Sequence, residues 1–196
     1  GCVDSIASNN TIVNPTRWIF RILQETTSSG PYIFLPCGNN RVENNLVYFD
    51  SELLSFFYIN IGVDTDPSSF SFSNNLWYAH NDPPESTPNL PVAETNGFYE
   101  MDPLLVDPAA ADYRIDHTSP AAYAGLSPAL VLNDFEGKCY RESPSIGAFE
   151  VPDAVAVSIF AEDFGRTDCI GQCDADYNGD SDVDGSDLAK YIVHFD

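Results

Sequence analysis

The sequence is poor in basic residues, since eight Lys and Arg stand against 30 Asp and Glu, a formal net charge of −22. Phosphate binding needs clustered Lys and Arg, and docking on anionic lipid needs a basic surface. The composition therefore argues against nucleic acid as a partner and against electrostatic attachment to a membrane. Long apolar runs are absent as well, and stretches such as PYIFLP (31–36) are far too short to insert into a membrane.

Cysteine is scarce and odd in number, with five residues in the chain: Cys2, Cys37, Cys139, Cys169 and Cys173. In a strongly acidic chain this usage indicates an oxidising, extracellular setting, and one cysteine must lack a partner within the chain. The sequence begins at Gly1 with no Met and no basic signal region, so we expect a mature or excised piece.

Three similar segments are present: ASNNTIV (7–13), VENNLVY (42–48) and FSNNLWY (72–78). The second Asn of each pair is Asn10, Asn45 or Asn75, so the spacings are 35 and 30 residues. Strand-like runs rich in β-branched and aromatic residues lie between the pairs. The pattern predicts about three short strands per repeat, stacked as coils of a β-solenoid with hydrogen-bonded Asn side chains along the stack.

The first two cysteines follow the same register. Cys2 lies eight residues before Asn10, and Cys37 lies eight residues before Asn45. The repeat places the two cysteines in adjacent coils, at a separation that a disulfide can bridge. We predict a Cys2–Cys37 bond; the alternative is a pair of buried free thiols.

Asn-pair coils of this length resemble the last turns of a right-handed parallel β-helix. The segments MDPLLVDPAAADYRIDHTSPAAYAGL (101–126) and SIGAFEV (145–151) resemble the closing block of bacterial secreted β-helix proteins, the choice-of-anchor type C-terminal region. Ala122–Tyr123 departs from the Ile-Asp that is usual in that block. The resemblance implies a mainly β fold in which 101–151 caps the open end of the coils. Residues 79–98, rich in Pro, are expected to form a long surface loop.

The composition changes after Val151, which divides the chain into 1–151 and 152–196. Residues 153–165 and 186–195 have helical spacing. The apolar faces of these two predicted helices consist of Val157, Phe160, Ala161 and Phe164 in the first, and Leu188, Tyr191, Ile192 and Phe195 in the second.

The stretch DADYNGDSDVDGSDL (174–188) carries six carboxylates in fifteen residues. Counted from its second Asp, oxygen donors occupy positions 1, 3, 5, 7, 9 and 12: Asp176, Asn178, Asp180, Asp182 (through its backbone carbonyl), Asp184 and Asp187. This is the ligand spacing of an EF-hand loop, and it predicts bound Ca²⁺. Val183 at position 8 is the apolar residue that anchors such a loop. Ser181 at position 6 replaces the usual Gly, and Asp187 has a shorter reach than Glu.

The segments DVDGSDLA and FAEDFGRTDC resemble dockerin-type tails of bacterial proteins, with one calcium loop where a full dockerin has two. The resemblance implies a two-helix module and a cohesin as partner. A Cys169–Cys173 disulfide would cross-link the connection between the helices. Cys139 would then be free or paired outside the chain.

No catalytic constellation is predicted. Basic side chains that could serve a β-helix polysaccharide lyase are scattered along the chain: Arg17, Arg21, Arg41, His80 and His117. The aromatic groups FFY (56–58) and WY (77–78) could stack on sugars, but strand alternation sends about half of such side chains into the core.

Together these features predict a secreted, extracellular or cell-surface calcium-binding protein with a structural or assembly role, such as a fibre subunit joined through open β-helix ends. Its partners would be other copies of itself, a surface protein or a polysaccharide. Two alternatives stay open: the C-terminal piece of a polysaccharide lyase or other carbohydrate-active protein, and a dockerin-like attachment module that binds a cohesin.

Overall fold

The structure is a computed structural model that describes residues 1–24, 26–53, 58–127, 132–151, 160–167, 175–176 and 178–190, and the backbone of 191–193. The chain divides into two compact units, Gly1–Glu150 and Val151–Asp196. This boundary lies one residue from the division expected from the sequence.

The protein is mainly β. In the described part of the chain, the strands β1 to β15 are Ile6–Ser8, Thr11–Val13, Phe20–Ile22, Ser28–Ser29, Tyr32–Ile33, Cys37–Gly38, Arg41–Glu43, Leu46–Phe49, Ile59–Ile61, Thr65–Asp66, Ser71–Ser73, Leu76–Ala79, Phe98–Tyr99, Leu105–Asp107 and Asp112–Ile115. Short 3₁₀ turns cover Ser51–Leu53, Pro67–Ser69, Pro83–Ser86 and Pro108–Ala110, and the helix α1 covers Gly185–Val193.

Most strands of the N-terminal unit pair in parallel across three successive layers, which we define as layer 1 (β1–β3), layer 2 (β6–β9) and layer 3 (β10–β12). Sheet β1-β7-β11 pairs Ile6 with Arg41, 35 residues later, and Arg41 with Ser71, 30 residues later. Sheet β2-β8-β12-β13 has the same two offsets between its first three strands. The register confirms the repeat spacing predicted from the Asn pairs. Antiparallel pairing joins β4 to β5 and β14 to β15.

The first Asn of each pair forms the turn between neighbouring strands. Asn9, Asn44 and Asn74 have φ of 55°, 56° and 51°, a left-handed conformation that Asn tolerates better than most residues. The turn lets the chain change direction and start the next strand in the same place in every layer.

The second Asn of each pair forms a hydrogen-bonded ladder through the layers. Asn10 Nδ2 donates to Asn45 Oδ1 at 2.8 Å, and Asn45 Nδ2 donates to Asn75 Oδ1 at 2.8 Å. The ladder ends on Glu94, whose Oε1 accepts from Asn75 Nδ2 at 2.6 Å and whose Oε2 accepts from Trp77 Nε1 at 2.9 Å. The Asn ladder follows the sequence-based prediction, whereas Glu94 lies in 79–98, the expected surface loop. That segment also packs Leu90 and Val92 against the core.

Strand alternation decides which side chains enter the core. Val47 and Phe49 of β8 and Trp77 of β12 are fully buried in one hydrophobic cluster. Tyr48 and Tyr78, the alternating residues of the same strands, are only partly buried. Burial of each large apolar side chain contributes about 1.5–3 kcal/mol, so the alternation stabilises the stack as a unit.

The described residues of 101–150 contact the layers at and beside their Asn turns. Asn44 Nδ2 donates to Leu126 O at 2.8 Å, and Asn74 Nδ2 donates to Ala124 O at 2.9 Å. Ala148 N donates to Thr11 Oγ1 at 3.0 Å. The sequence led us to expect that this segment would cover the open end of the stack. Instead, these bonds reach all three layers from the side. The strand that follows β12 in the stack is β13, in which Phe98 pairs with Leu76.

The predicted Cys2–Cys37 disulfide is wrong for this structure, in which both residues are free thiols. The register is as predicted, because Gly38 N donates to Cys2 O at 3.1 Å. The thiols have different surroundings: Cys2 Sγ is exposed and lies 3.0 Å from Ser5 Oγ, whereas Cys37 is buried beside Asn40 Nδ2 at 3.5 Å. Cys139 is an exposed free thiol, and Cys169 and Cys173 lie outside the described residues.

Candidate metal centre

A small apolar cluster supports the acidic loop of the C-terminal unit. Val183 is fully buried with Phe160 and Ala175. Its backbone N donates to Arg166 O at 2.9 Å, and its carbonyl accepts from Gly165 N at 2.7 Å. Val183 is the residue predicted to anchor the loop, and these contacts confirm that it holds the middle of the loop in place.

The predicted apolar faces of the two helices are only partly correct. Residues 160–163 are helical and Phe160 is buried, but Phe164 is 56% exposed. Leu188 of α1 is 38% exposed. The remaining members of the two faces lie outside the described residues or have no described side chain, apart from Ala161, which is exposed.

Asp176 shapes the first half of the loop. Its Oδ1 accepts hydrogen bonds from Gly179 N at 2.7 Å and Asp180 N at 3.2 Å, and its Oδ2 accepts from Ser181 N at 3.1 Å. Gly179 and Ser181 both have positive φ, 77° and 74°. The left-handed turns direct three amide groups at one carboxylate, and Ser181 adopts the conformation for which Gly is preferred.

Asp184 and Asp187 form a capping box at the start of α1. Asp184 Oδ1 accepts from Ser186 N at 2.6 Å, and Asp187 Oδ2 accepts from Asp184 N at 2.9 Å. Asp187 Oδ1 also accepts from Asn178 N at 3.0 Å, and the side chain is fully buried. Asp187 thereby joins the first half of the loop to the helix.

The carboxylates of the loop converge in two groups that share Asp187. Asp176, Asp180 and Asp187 form one, and Asp182, Asp184 and Asp187 form the other, with one oxygen from each residue within 4.8 Å of the others. Asn178 lies at the first group, with its Oδ1 accepting from Asp180 N at 2.8 Å and its Nδ2 donating to Asp180 Oδ2 at 2.7 Å. The side chain of Asp182 takes part, although the sequence predicted only its backbone carbonyl as a donor.

The electrostatics of the loop favour a cation. Burial raises the pKa of Asp182, and the charges of Asp180 and Asp184 raise it further. The hydrogen bonds from Ser186 lower the pKa of Asp184 and keep that carboxylate ionised. Asp182 Oδ1 is buried and has no hydrogen-bond partner. No Lys or Arg occurs in the sequence between Arg166 and Lys190. An orphaned oxygen within a set of hard oxygen donors fits Ca²⁺, which takes six to eight such ligands.

The basic residues singled out in the sequence belong to the N-terminal unit, whereas the acidic loop belongs to the C-terminal unit. Arg17 and Arg21 lie over the Trp18 ring at 6.0 and 4.8 Å, and Arg41 pairs with Glu43 at 3.5 Å. The His80 ring stacks on Tyr48 at 4.5 Å, and His117 Nδ1 lies 3.3 Å from Asp116 Oδ1. The described residues bring none of these groups together as a catalytic set.

A scan against models of known protein families finds no match for this chain, and a search of curated proteins finds none either. Among the described residues, the structure contains no helix of the length and hydrophobicity needed to cross a membrane.

Proposed function

We propose that this chain is an extracellular calcium-binding structural protein of the cell surface, in which a right-handed parallel β-helix carries a small calcium module. The observation that carries the proposal is the convergence of five loop carboxylates within 4.8 Å in two groups around the buried Asp187. Like charges at this separation repel strongly unless a cation lies among them. Ca²⁺ coordinated by the loop removes that repulsion.

The β-helix assignment is supported by the layers of the N-terminal unit. Strands recur in the same order, in parallel register, with an Asn ladder along the stack. Connections between parallel strands of one sheet are right-handed in about 98% of cases, which favours a right-handed coil.

The calcium experiment is isothermal titration of the whole chain with CaCl₂ after treatment with a chelator. We expect binding of Ca²⁺, and we expect D187N to weaken it at least tenfold, because Asp187 belongs to both oxygen groups. The matched control is D163N, since Asp163 is an acidic residue of the same unit that pairs with Arg166 at 2.9 Å. Absence of calcium binding by the unmodified chain would refute the proposal.

Self-assembly is the structural role that we propose for the N-terminal unit. Tyr32, Ile33 and Leu35 are 70%, 86% and 68% exposed at and beside the β4–β5 hairpin, and clustered exposed apolar groups mark contact surfaces. Light scattering coupled to size exclusion should detect assemblies, and electron microscopy should show whether they are filaments. I33D should reduce the assembled fraction, whereas L132D, at a position 76% exposed elsewhere, should not. A monodisperse monomer at high concentration would contradict this role.

Attachment to a cohesin is a second candidate, favoured by the exposed Leu188 on the helix that follows the acidic loop. Its test is calcium-dependent capture of the chain by an immobilised cohesin. Capture that persists in chelator would count against it.

A further inference from the structure

An open cleft lies on the outer face of the N-terminal unit, away from the acidic loop in sequence. Its volume is about 600 Å³, and its lining includes Tyr48, Asp102, Leu104, Val106, Asp116 and Thr118. We call it the tyrosine cleft. The volume is within the range of about 300–1,000 Å³ that is typical of small-molecule sites.

Tyr48 is the aromatic residue that lines the cleft. Tyr48 points outward because its neighbours Val47 and Phe49 fill the core. Behind it, outside the cleft lining, the Tyr78 ring of the next layer lies 6.0 Å from the Tyr48 ring, and the His80 ring stacks on Tyr48 at 4.5 Å with an interplanar angle of 18°. Burial raises the pKa of Tyr48, and the charge of Asp102 raises it further, so the phenol keeps its proton as a donor. Tyr48 therefore offers the cleft a flat apolar ring together with a hydroxyl group.

Two carboxylates supply oriented acceptors. Asp102 Oδ1 accepts from Leu104 N at 2.9 Å, and its Oδ2 lies 3.5 Å from the Tyr78 hydroxyl. Asp116 Oδ1 accepts from Thr118 N at 2.8 Å and from Thr118 Oγ1 at 2.6 Å. Backbone bonds to Oδ1 fix the direction of each Oδ2, which makes it a strong acceptor for a hydroxyl donor.

The charge of the cleft limits the ligands that it can take. The described lining includes Asp102 and Asp116 but no Lys or Arg, and His117 Nδ1 lies beside Asp116 at 3.3 Å. A uronate or a phosphate would be repelled by the carboxylates. A neutral sugar ring would place its C–H face on the Tyr48 ring and its hydroxyls on the carboxylates.

We infer that the tyrosine cleft binds a neutral pyranose saccharide, with Tyr48 stacking on the ring and Asp102 and Asp116 accepting hydrogen bonds from its hydroxyls. This activity is independent of the calcium loop, so either proposal can fail alone.

The test is calorimetric titration of the full chain with cellohexaose, maltohexaose and chitohexaose, each in about 0.05 and 0.5 M NaCl to separate screened from unscreened interactions. We expect at least one of these neutral sugars to bind with little salt dependence. Y48A should weaken that binding about tenfold or more, and D102N about tenfold, through loss of ring contact and of a charge-assisted hydrogen bond respectively. D102N alters an exposed side chain, so it remains informative if Y48A fails to fold. E52Q is the control, at an exposed glutamate outside the cleft lining, and should leave sugar affinity unchanged.

Trigalacturonate and spermine are the comparison ligands. Binding of trigalacturonate as tight as that of the neutral sugar would overturn the inference. Binding of spermine but of no neutral sugar, with an affinity that falls as salt is added, would also overturn it. Neutral sugar binding that neither variant reduces, or no sugar binding at all, would overturn it too.

Discussion

Single residues of the acidic loop carry conformational strain that can be removed. Ser181 has φ of 74° at a position where EF-hand loops use Gly. A non-Gly residue in this region costs on the order of 1–3 kcal/mol, part of which the entropy of an added Gly offsets. Ser181 adopts this strained backbone conformation in the loop that we propose for calcium binding.

S181G should therefore bind Ca²⁺ more tightly, by about three- to fivefold, or about 0.6–1 kcal/mol. Titration calorimetry measures the change. S181A is the matched control: it removes the same hydroxyl but keeps Cβ, so it should bind no tighter than the unmodified chain. Equal gains in both variants would mean that the hydroxyl, and not the backbone, limits affinity.

Glu150 links the stability of the N-terminal unit to pH. The side chain is buried, and its oxygens lie 3.0 Å from Ser145 N and 3.0 Å from Ser145 Oγ. Burial raises the pKa of Glu150 above the ordinary 4.5, and the hydrogen bonds from Ser145 offset only part of that rise. The folded state therefore holds the proton more tightly than the unfolded state. The resulting stabilisation is complete below the ordinary pKa and is lost as pH rises through the folded pKa.

E150Q should gain free energy of unfolding relative to the unmodified chain as pH rises from about 4 to 7, because the amide stays neutral. Urea unfolding across this pH range measures the difference. E52Q, at an exposed glutamate, shows the effect of removing one negative charge from the surface. A pH-independent difference for E150Q would contradict the argument.

At the scale of the element, the Asn ladder joins the strands of the three layers. Asn45 occupies its middle, fully buried, with its Nδ2 donating to Ala7 O at 2.9 Å, Glu43 O at 3.0 Å and Asn75 Oδ1 at 2.8 Å. Its Oδ1 accepts from Asn10 Nδ2 at 2.8 Å. Buried polar groups that lose such partners cost about 1–3 kcal/mol each.

N45A should lower the free energy of unfolding by about 3 kcal/mol or more, since several buried groups lose their partner at once. N10A is the matched control at the exposed end of the ladder and should cost about 1 kcal/mol. Chemical denaturation of both variants gives the comparison. Equal losses would show that burial does not strengthen the ladder.

At the scale of the whole molecule, bound calcium should stabilise one unit of the chain. A ligand present at a hundred times its Kd stabilises the state that binds it by about 2.7 kcal/mol. Hydrogen exchange with and without CaCl₂ should therefore show added protection at the amides of Gly179 and Ser181. The amide of Asn45, which donates to Asn75 Oδ1 at 2.9 Å in the other unit, is the internal reference. Equal added protection at all these amides would contradict a local site.

The sequence by itself determined the periodic part of this protein. The same turn recurs in each stacked layer, and it places Asn10, Asn45 and Asn75 at equivalent positions. The spacing of these residues in the sequence therefore predicts the register in which the strands pair. The acidic loop was equally predictable: the positions of Asp176, Asp180 and Asp187 follow from local turns, and Val183 had to be apolar to hold them. Local hydrogen bonds and side-chain alternation decide such features, and both depend on residues that are close together in the sequence.

Only the tertiary structure decided what residues distant in sequence do together. Glu94 terminates the Asn ladder, and described residues between 101 and 150 lie against the sides of the layers, although nothing in the local pattern marks either contact. The register brought Cys2 and Cys37 to adjacent strands, yet their side chains found different partners, because a disulfide depends on side-chain direction as well as on strand spacing. The tyrosine cleft joins β8 to a segment more than fifty residues further along, and such a contact depends on how surfaces pack, which no periodicity records.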